Sequence, residues 1–149
     1  MRKFGLLLAA ALLGVLLTMG TAIAGDELEF EADLSGANEV PAVATAATGE
    51  AEFEIAGDTL TYELEAEDIA GVVGAHIHSG APGENGPIIV DLGVPGNCEV
   101  DDEELKCEAT LIPAGLDTVV ETMLSGNAYV NVHTAENPGG EIRGQLALD

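Results

Sequence analysis

Three histidines are the residues of this 149-residue sequence whose type and spacing could do chemistry. His76 and His78 are one residue apart in GAHIHSGAPGENGP, and His133 follows much later in AYVNVHTAE. Imidazole nitrogen is a good ligand for copper, zinc, nickel and iron, and three such ligands leave room on the ion for water or a substrate. The pattern raises the hypothesis of a metal site and leaves the choice among these ions open.

Strand alternation indicates that the three histidines can share one surface, because successive side chains of a strand point to opposite faces. In GVVGAHIHSG the apolar residues on either side would face the core, so His76 and His78 would face outward together. In AYVNVHT the apolar residues alternate with Tyr129, Asn131 and His133. The histidines are therefore expected to converge on the outer face of the fold.

The last strand, GEIRGQLAL, places a rare cation on the same kind of face. Arg143 could support a metal ligand or guide an anion beside the metal, and it could equally pair with Glu141 or another surface acid. The alternation predicts two sets of residues: Ile142, Gly144, Leu146 and Leu148 in the core, and Glu141, Arg143 and Gln145 outside it.

A simpler alternative is that the histidines are incidental, since His-x-His is a common pattern and His133 is distant in the sequence. The glycine- and proline-rich loop after His78 lacks the lysine and the following helix of a phosphate-binding loop. The sequence also shows no Ser-His-Asp or Cys-His set. No catalytic residue is assigned, and an enzyme is the less favoured class.

The first 24 residues have the features of a secretory signal peptide. Arg2 and Lys3 precede an apolar run, and Ala22-Ile23-Ala24 ends it with the small-residue pattern of a cleavage site. An uncleaved membrane anchor is the alternative, but the run is short for a span. Residues 25–149 are thus expected to form one exported domain, periplasmic or extracellular, with no membrane span after cleavage.

Two cysteines, Cys98 and Cys107, flank EVDDEELK, which is typical of a turn between two short strands. A hairpin there would bring the sulfur atoms close together. Because the chain is expected to be exported, a structural disulfide is predicted. A metal site built on the two thiols is a weaker alternative, since the neighbouring ligands would all be hard carboxylates.

The mature chain is strongly acidic. All 27 Asp and Glu residues lie beyond residue 25 and only Lys106 and Arg143 oppose them, which gives a net charge of −25. Such a chain would repel nucleic acid and anionic membranes, so the expected partners are a metal ion and other envelope or extracellular proteins. The acids are spread along the predicted strands, which favours a general surface property, such as adaptation to salt or solubility, over a dedicated cation-binding tract.

Alternation of apolar and acidic residues predicts half-buried antiparallel strands in LEFEADL, EAEFEI and TLTYELEAE, with a tight turn at residues 57–58. Further strands are predicted near 73–78, 87–92, the two cysteines, 128–134 and 141–148. LDTVVETMLSGN has the apolar spacing of a short helix ending at Gly126, with another strand as the alternative. The prediction is an all-β sandwich or flattened barrel of about eight strands with one short helix.

The sequence resembles the CHRD domain, a module found alone in many exported bacterial and archaeal proteins. The matching segments are LSGANEVPAVATAATGEAEFEI, LTYELEAEDIAGVVGAHIHSGAPGENGPIIVDL and LSGNAYVNVHTAENPGGEIRGQL, which extend from Leu34 to Leu146. The resemblance implies one immunoglobulin-like antiparallel β-sandwich over residues 25–149. It implies no defined biochemical activity.

A weaker resemblance is to copper/zinc superoxide dismutase, which also has a His-x-His strand, a glycine-rich loop, a later histidine strand and a late arginine. His76, His78, His133 and Arg143 occur in that order here. The resemblance implies copper ligands at the three histidines. It does not carry over dismutase activity, because the chain has no bridging histidine or zinc-binding histidine cluster, and Glu84 is the only charged residue of SGAPGENGP.

Two classes of function follow from these observations. The first is an exported metal-binding module that buffers or carries copper. The second is a structural or protein-interaction module of the cell envelope in which the histidines are incidental. A superoxide-dismutase-like enzyme is a third and less favoured hypothesis.

Overall fold

The computed structural model describes residues 27–149. The predicted signal peptide, residues 1–24, and its cleavage site lie outside the described residues. Within residues 27–149 the fold is all-β, as predicted, and no helix has the length and apolar character that a bilayer span requires.

The described chain forms ten strands, one α-helix and one short 3-10 turn. Their bounds are β1 (Leu28–Ser35), a 3-10 turn (Gly36–Asn38), β2 (Thr48–Ala56), β3 (Thr59–Glu67), β4 (Val72–Ser79), β5 (Ile88–Asp91), β6 (Cys98–Val100), β7 (Glu104–Leu111), α1 (Leu116–Leu124), β8 (Ala128–Thr134), β9 (Ile142–Gln145) and β10 (Ala147–Leu148).

The strands form one antiparallel sheet in the order β5-β4-β8-β9-β1-β2-β3-β7-β6, with β10 also paired to β1. The sheet curls, and its two halves pack on a common core like the layers of a sandwich. The hydroxyl of Tyr62 on β3 links the halves by donating to the Leu92 carbonyl at 2.5 Å. The halves remain hydrogen-bonded where β1 meets β9, and Ser35 opposite Arg143 is the register pair at that junction.

Alternation along the strands builds the core as predicted. In β1, β2 and β3 every second residue is buried, and the residues between them, mostly acids, are exposed. The turn at residues 57–58 is also confirmed, with Gly57 at a φ of 61°. The helix α1 buries Leu116, Val119 and Met123, and Gly126 follows its end at a φ of 73°. The predicted short helix is therefore confirmed over its alternative, a strand.

The predicted last strand, residues 141–148, is divided into β9 and β10. This division is one reason why the described residues form ten strands where about eight were predicted. At Leu146 the backbone N–H donates to Ala128 on β8, and the next two residues pair with β1 instead. Leu148 is 54% exposed, so its predicted place in the core was wrong. The cause is this change of partner, which ends the alternation that β9 shares with β8.

Cys98 and Cys107 are directly opposite each other on β6 and β7 and form a disulfide, as predicted. We expect thiol labelling of unreduced protein to leave both cysteines unmodified. Reduction before labelling should add two labels, as measured by intact mass. Two labels on unreduced material would contradict the prediction.

Candidate metal centre

The three predicted histidines come together on one face of the half-sheet formed by β5, β4, β8 and β9. His76 and His78 lie on β4, and His133 lies on the neighbouring strand β8 opposite Gly74. The ring centroid of His133 is 4.8 Å from that of His76 and 5.8 Å from that of His78. One nitrogen from each ring lies within 4.8 Å of the others. The arrangement is compact enough for the three rings to share one ion.

This face is the predicted outer face, but loops cover it. His78 is only 8% exposed, and the other two rings are partly buried. Glu141 and Arg143 are also buried, although alternation places them outside the core. The sequence predicted the correct face and the wrong exposure, because strand alternation carries no information on where loops fold back.

Backbone carbonyls set the orientation of two of the rings. The Nδ1 atom of His78 lies 2.9 Å from the Gly86 carbonyl oxygen, and that of His133 lies 3.0 Å from the Pro138 carbonyl oxygen. A carbonyl oxygen only accepts hydrogen bonds, so each Nδ1 carries the proton and each Nε2 keeps a free lone pair. Both Nε2 atoms are buried and have no hydrogen-bond partner in the protein. They are therefore available as ligands.

In His76 the roles of the two ring nitrogens are reversed. Its Nε2 atom lies 4.0 Å from the Asp91 carboxylate on β5, whereas its Nδ1 atom is buried without a partner in the protein. A carboxylate next to one nitrogen of a histidine favours a proton there and leaves the other nitrogen to bind a metal. The available donor set is thus Nδ1 of His76 with Nε2 of His78 and of His133.

The environment keeps two of the rings neutral. Burial, followed by the neighbouring His133, lowers the pKa of His76, and Asp91 offsets this only in part. Burial also lowers the pKa of His78 and outweighs the Gly86 carbonyl, which favours the protonated ring. Metals bind neutral imidazole, so these shifts keep the donors available around neutral pH.

The lowered pKa values predict how acid affects the metal-free protein. Below the unfolded pKa of about 6.5, the unfolded chain takes up protons at His76 and His78 more readily than the folded chain, so the folded state loses stability as pH falls. The thermal midpoint of the wild type should therefore drop relative to that of His78→Gln between about pH 7.5 and pH 5.5. Parallel midpoints for the two proteins would show that His78 does not contribute.

The loop that supplies the Pro138 carbonyl is held by Glu141. Its carboxylate accepts hydrogen bonds from the hydroxyls of Thr45 and Thr134 at 2.8 and 2.6 Å, and from the Asn137 amide at 3.2 Å. Although burial alone would raise it, these hydrogen bonds lower the pKa of the Glu141 carboxyl. The ionised side chain therefore fixes the segment that orients His133.

Arg143 holds the other covering loop. Its guanidinium donates to the carbonyl oxygens of Ala81 and Glu84 at 3.1 and 2.9 Å and to the Asn85 side chain at 3.1 Å. Arg143 is 1% exposed and forms no ion pair with a carboxylate anywhere in residues 27–149. The alternative that Arg143 pairs with Glu141 or another surface acid is therefore not seen in the described residues.

Arg143 also reaches His78 through an aromatic ring. Its Cζ atom lies 3.5 Å from the ring centroid of Tyr129, and the Tyr129 ring stacks on His78 at 4.9 Å with 6° between the planes. Tyr129 is on β8, between the strands of the other two residues. Its hydroxyl accepts a hydrogen bond from the Gly86 amide at 3.2 Å. The stack therefore holds the His78 ring by its face, in addition to the hydrogen bond that the Gly86 carbonyl makes at its edge.

Four residues that contact this site were not predicted from the sequence: Tyr129, Asn131, Asp91 and Glu39. Alternation placed Tyr129 and Asn131 on the histidine face, and that signal could have marked both of them. Asp91 and Glu39 had no comparable signal. Asp91 reaches His76 through strand pairing at the sheet edge, and Glu39 reaches Asn131 through a loop.

Fold and site together define an all-β domain that carries a partly buried histidine triad on the loop-covered face of a curled sheet. The chain belongs to the CHRD domain family, whose sequence model matches residues 30–146. The resemblance to the CHRD domain noted in the sequence is thereby confirmed. No curated protein and no solved structure shows significant similarity to the chain.

Proposed function

We propose that this protein is an exported metal-binding module, with copper as the favoured ion and zinc as the second choice. The ligands are His76, His78 and His133. The observation that carries the proposal is the meeting of three buried ring nitrogens that have no hydrogen-bond partner in the protein. Leaving a buried polar atom unpaired costs about 1–3 kcal/mol, and a bound ion would remove that cost at all three atoms.

The surroundings of the rings support a metal rather than a structural role. Each ligand histidine of a typical metal site donates its second ring N–H to a carbonyl or a carboxylate, which fixes the tautomer. Gly86 and Pro138 supply such carbonyls, and Asp91 supplies a nearby carboxylate. The donors are therefore oriented before any ion arrives.

Copper is favoured by the type of donor. Nitrogen ligands bind Cu(II) more tightly than Zn(II) in the Irving–Williams order, whereas Ca(II) and Mg(II) prefer oxygen. Acidification should release the ion, because protons compete for the same nitrogen atoms. The lowered pKa values of His76 and His78 move this competition below their ordinary range.

Binding is favoured over turnover of an anionic substrate such as superoxide. Arg143 is the cation nearest to the triad along the sheet, and its guanidinium is committed to the loop. The mature net charge of −25 repels anions from the whole domain. We therefore assign Arg143 a supporting role beside the ligands.

Export is supported by the leader-like residues 1–24 and by the disulfide between Cys98 and Cys107. We place the protein in the periplasm or outside the cell. Sequencing the N-terminus of protein recovered from those fractions should begin at Gly25. Recovery only from the cytoplasm with residues 1–24 intact would contradict export.

Metal analysis of the purified protein tests the binding proposal. We expect one copper per chain, retained in a large excess of Ca(II) and Mg(II), which displace ions held loosely by surface carboxylates. Glu52→Gln, which removes one exposed acid far from the triad, should leave the stoichiometry unchanged. A protein that takes up no copper under these conditions would leave the alternative, a structural or interaction module of the envelope.

A further inference from the structure

Asn131 lies on β8 next to the histidine cluster. It is opposite His76 in the pairing of β4 with β8, and it precedes His133 by two residues, so alternation puts both side chains on one face. Asn131 is 2% exposed. Its position alone makes it a neighbour of the three rings.

The side-chain oxygen of Asn131 is buried without a hydrogen-bond partner, as are the donor nitrogens of the three histidines. Within residues 27–149, four buried side-chain nitrogen or oxygen atoms lack a hydrogen-bond partner in the protein. Folded proteins satisfy the great majority of such atoms, so four in one cluster require an explanation. Three are the ring nitrogens of the triad, and the fourth is Asn131 Oδ1.

Glu39 fixes which end of the amide is left without a partner. The Asn131 Nδ2 atom donates to the Glu39 carboxylate at 3.4 Å, and Glu39 is itself buried. Gly140 packs against this pair so closely that a Cβ there would lie 2.3 Å from Glu39 Oε1 and 2.5 Å from Asn131 Nδ2. The amide nitrogen is thus held toward the loop, and the oxygen faces the cluster. There it lies close enough to His78 to raise the pKa of that ring, against the larger lowering by burial.

We propose that Asn131 Oδ1 is a fourth metal ligand, which makes the site three nitrogens and one oxygen. This inference rests on the proposed function and specifies the ion that the site prefers. An amide oxygen is a hard donor, so it favours the harder ion Cu(II) over Cu(I), which is selected by soft sulfur ligands. Asn131 therefore selects the oxidised ion.

Asn131→Leu tests the proposal, because leucine has a similar size and no donor atom. We expect the affinity for Cu(II) to fall by about tenfold or more and the affinity for Cu(I) to change by less than about threefold. Asn127→Leu, an exposed asparagine just before β8, is the matched control and should change neither affinity. An equal fall for both ions, or no fall for Cu(II), would overturn the proposal.

A second measurement does not depend on the variant folding. Wild-type protein with ¹³C in its asparagine side chains, loaded with Cu(II), should show in pulsed electron paramagnetic resonance the hyperfine coupling of an amide carbon bonded to a ligand oxygen. No such coupling would overturn the inference. If the wild type binds copper through the three histidines without this coupling, only the role of Asn131 fails. If the wild type binds no copper, the proposed function itself fails.

Discussion

Replacing His133 with alanine is expected to weaken copper binding by at least about tenfold, or about 1.4 kcal/mol. His133 is the ligand contributed by β8, whereas His76 and His78 both come from β4. The substitution therefore removes one donor and leaves the other two on their own strand. Competition titration against a chelator of known affinity, at fixed pH and in excess Mg(II), measures the change.

Two comparisons make this result specific. Glu52→Gln should keep the wild-type affinity, because Glu52 is exposed on β2 and belongs to the other half of the sheet. The metal-free His133→Ala protein should remain folded, because the His133 side chain is only partly buried and makes a single hydrogen bond, from Nδ1 to the Pro138 carbonyl. Unchanged copper affinity in His133→Ala would mean that the three rings do not act as one site.

The thermal midpoint is expected to rise by about 10 °C between dilute buffer and molar NaCl. Seven cross-strand pairs on β1, β2, β3 and β7 place one exposed acid directly opposite another. Like charges in direct opposition destabilise a sheet, and salt screens them. A scanning calorimetry series in NaCl measures the effect, and a flat or falling midpoint would remove charge repulsion as the dominant surface effect.

The variant Glu63→Lys tests whether the repulsion arises between directly opposed acids on the sheet. Glu63 lies between Glu52 on β2 and Glu108 on β7, so a lysine there converts two repulsive pairs into attractive ones. We expect the midpoint in dilute buffer to rise by about 4 °C, and the gain to disappear in molar NaCl. Glu121→Lys makes the same change of net charge on α1 and should raise the midpoint much less. Equal gains would indicate that net charge alone matters.

The sequence was sufficient for features that depend on local periodicity. The bounds of β3 and β8 were predicted to the residue, because both strands alternate without interruption. The face carrying His76, His78 and His133 followed from the same alternation. The disulfide followed from two cysteines placed on either side of a turn.

Features that depend on distant segments could not be predicted in this way. Arg143 was expected on an outer face, and the loop after β4 encloses it there. In the sequence Asn131 is an ordinary polar strand residue. The contacts that orient its amide come from Glu39 and Gly140, which lie in loops outside its strand. Contacts of this kind arise from how loops pack over a sheet, and no local pattern of residues records them.

The division of the sheet into two halves separates the most acidic surface from the histidine cluster. The opposed acids lie on β1, β2, β3 and β7, whereas the histidines lie on β4 and β8, and the halves meet in register at Ser35 and Arg143. Substitutions on the acidic half can follow the salinity of the surroundings without touching a residue that orients a ligand. Protein engineers can use the same separation. They can change the surface charge of the acidic half to suit a new solvent while the triad on the other half keeps its geometry.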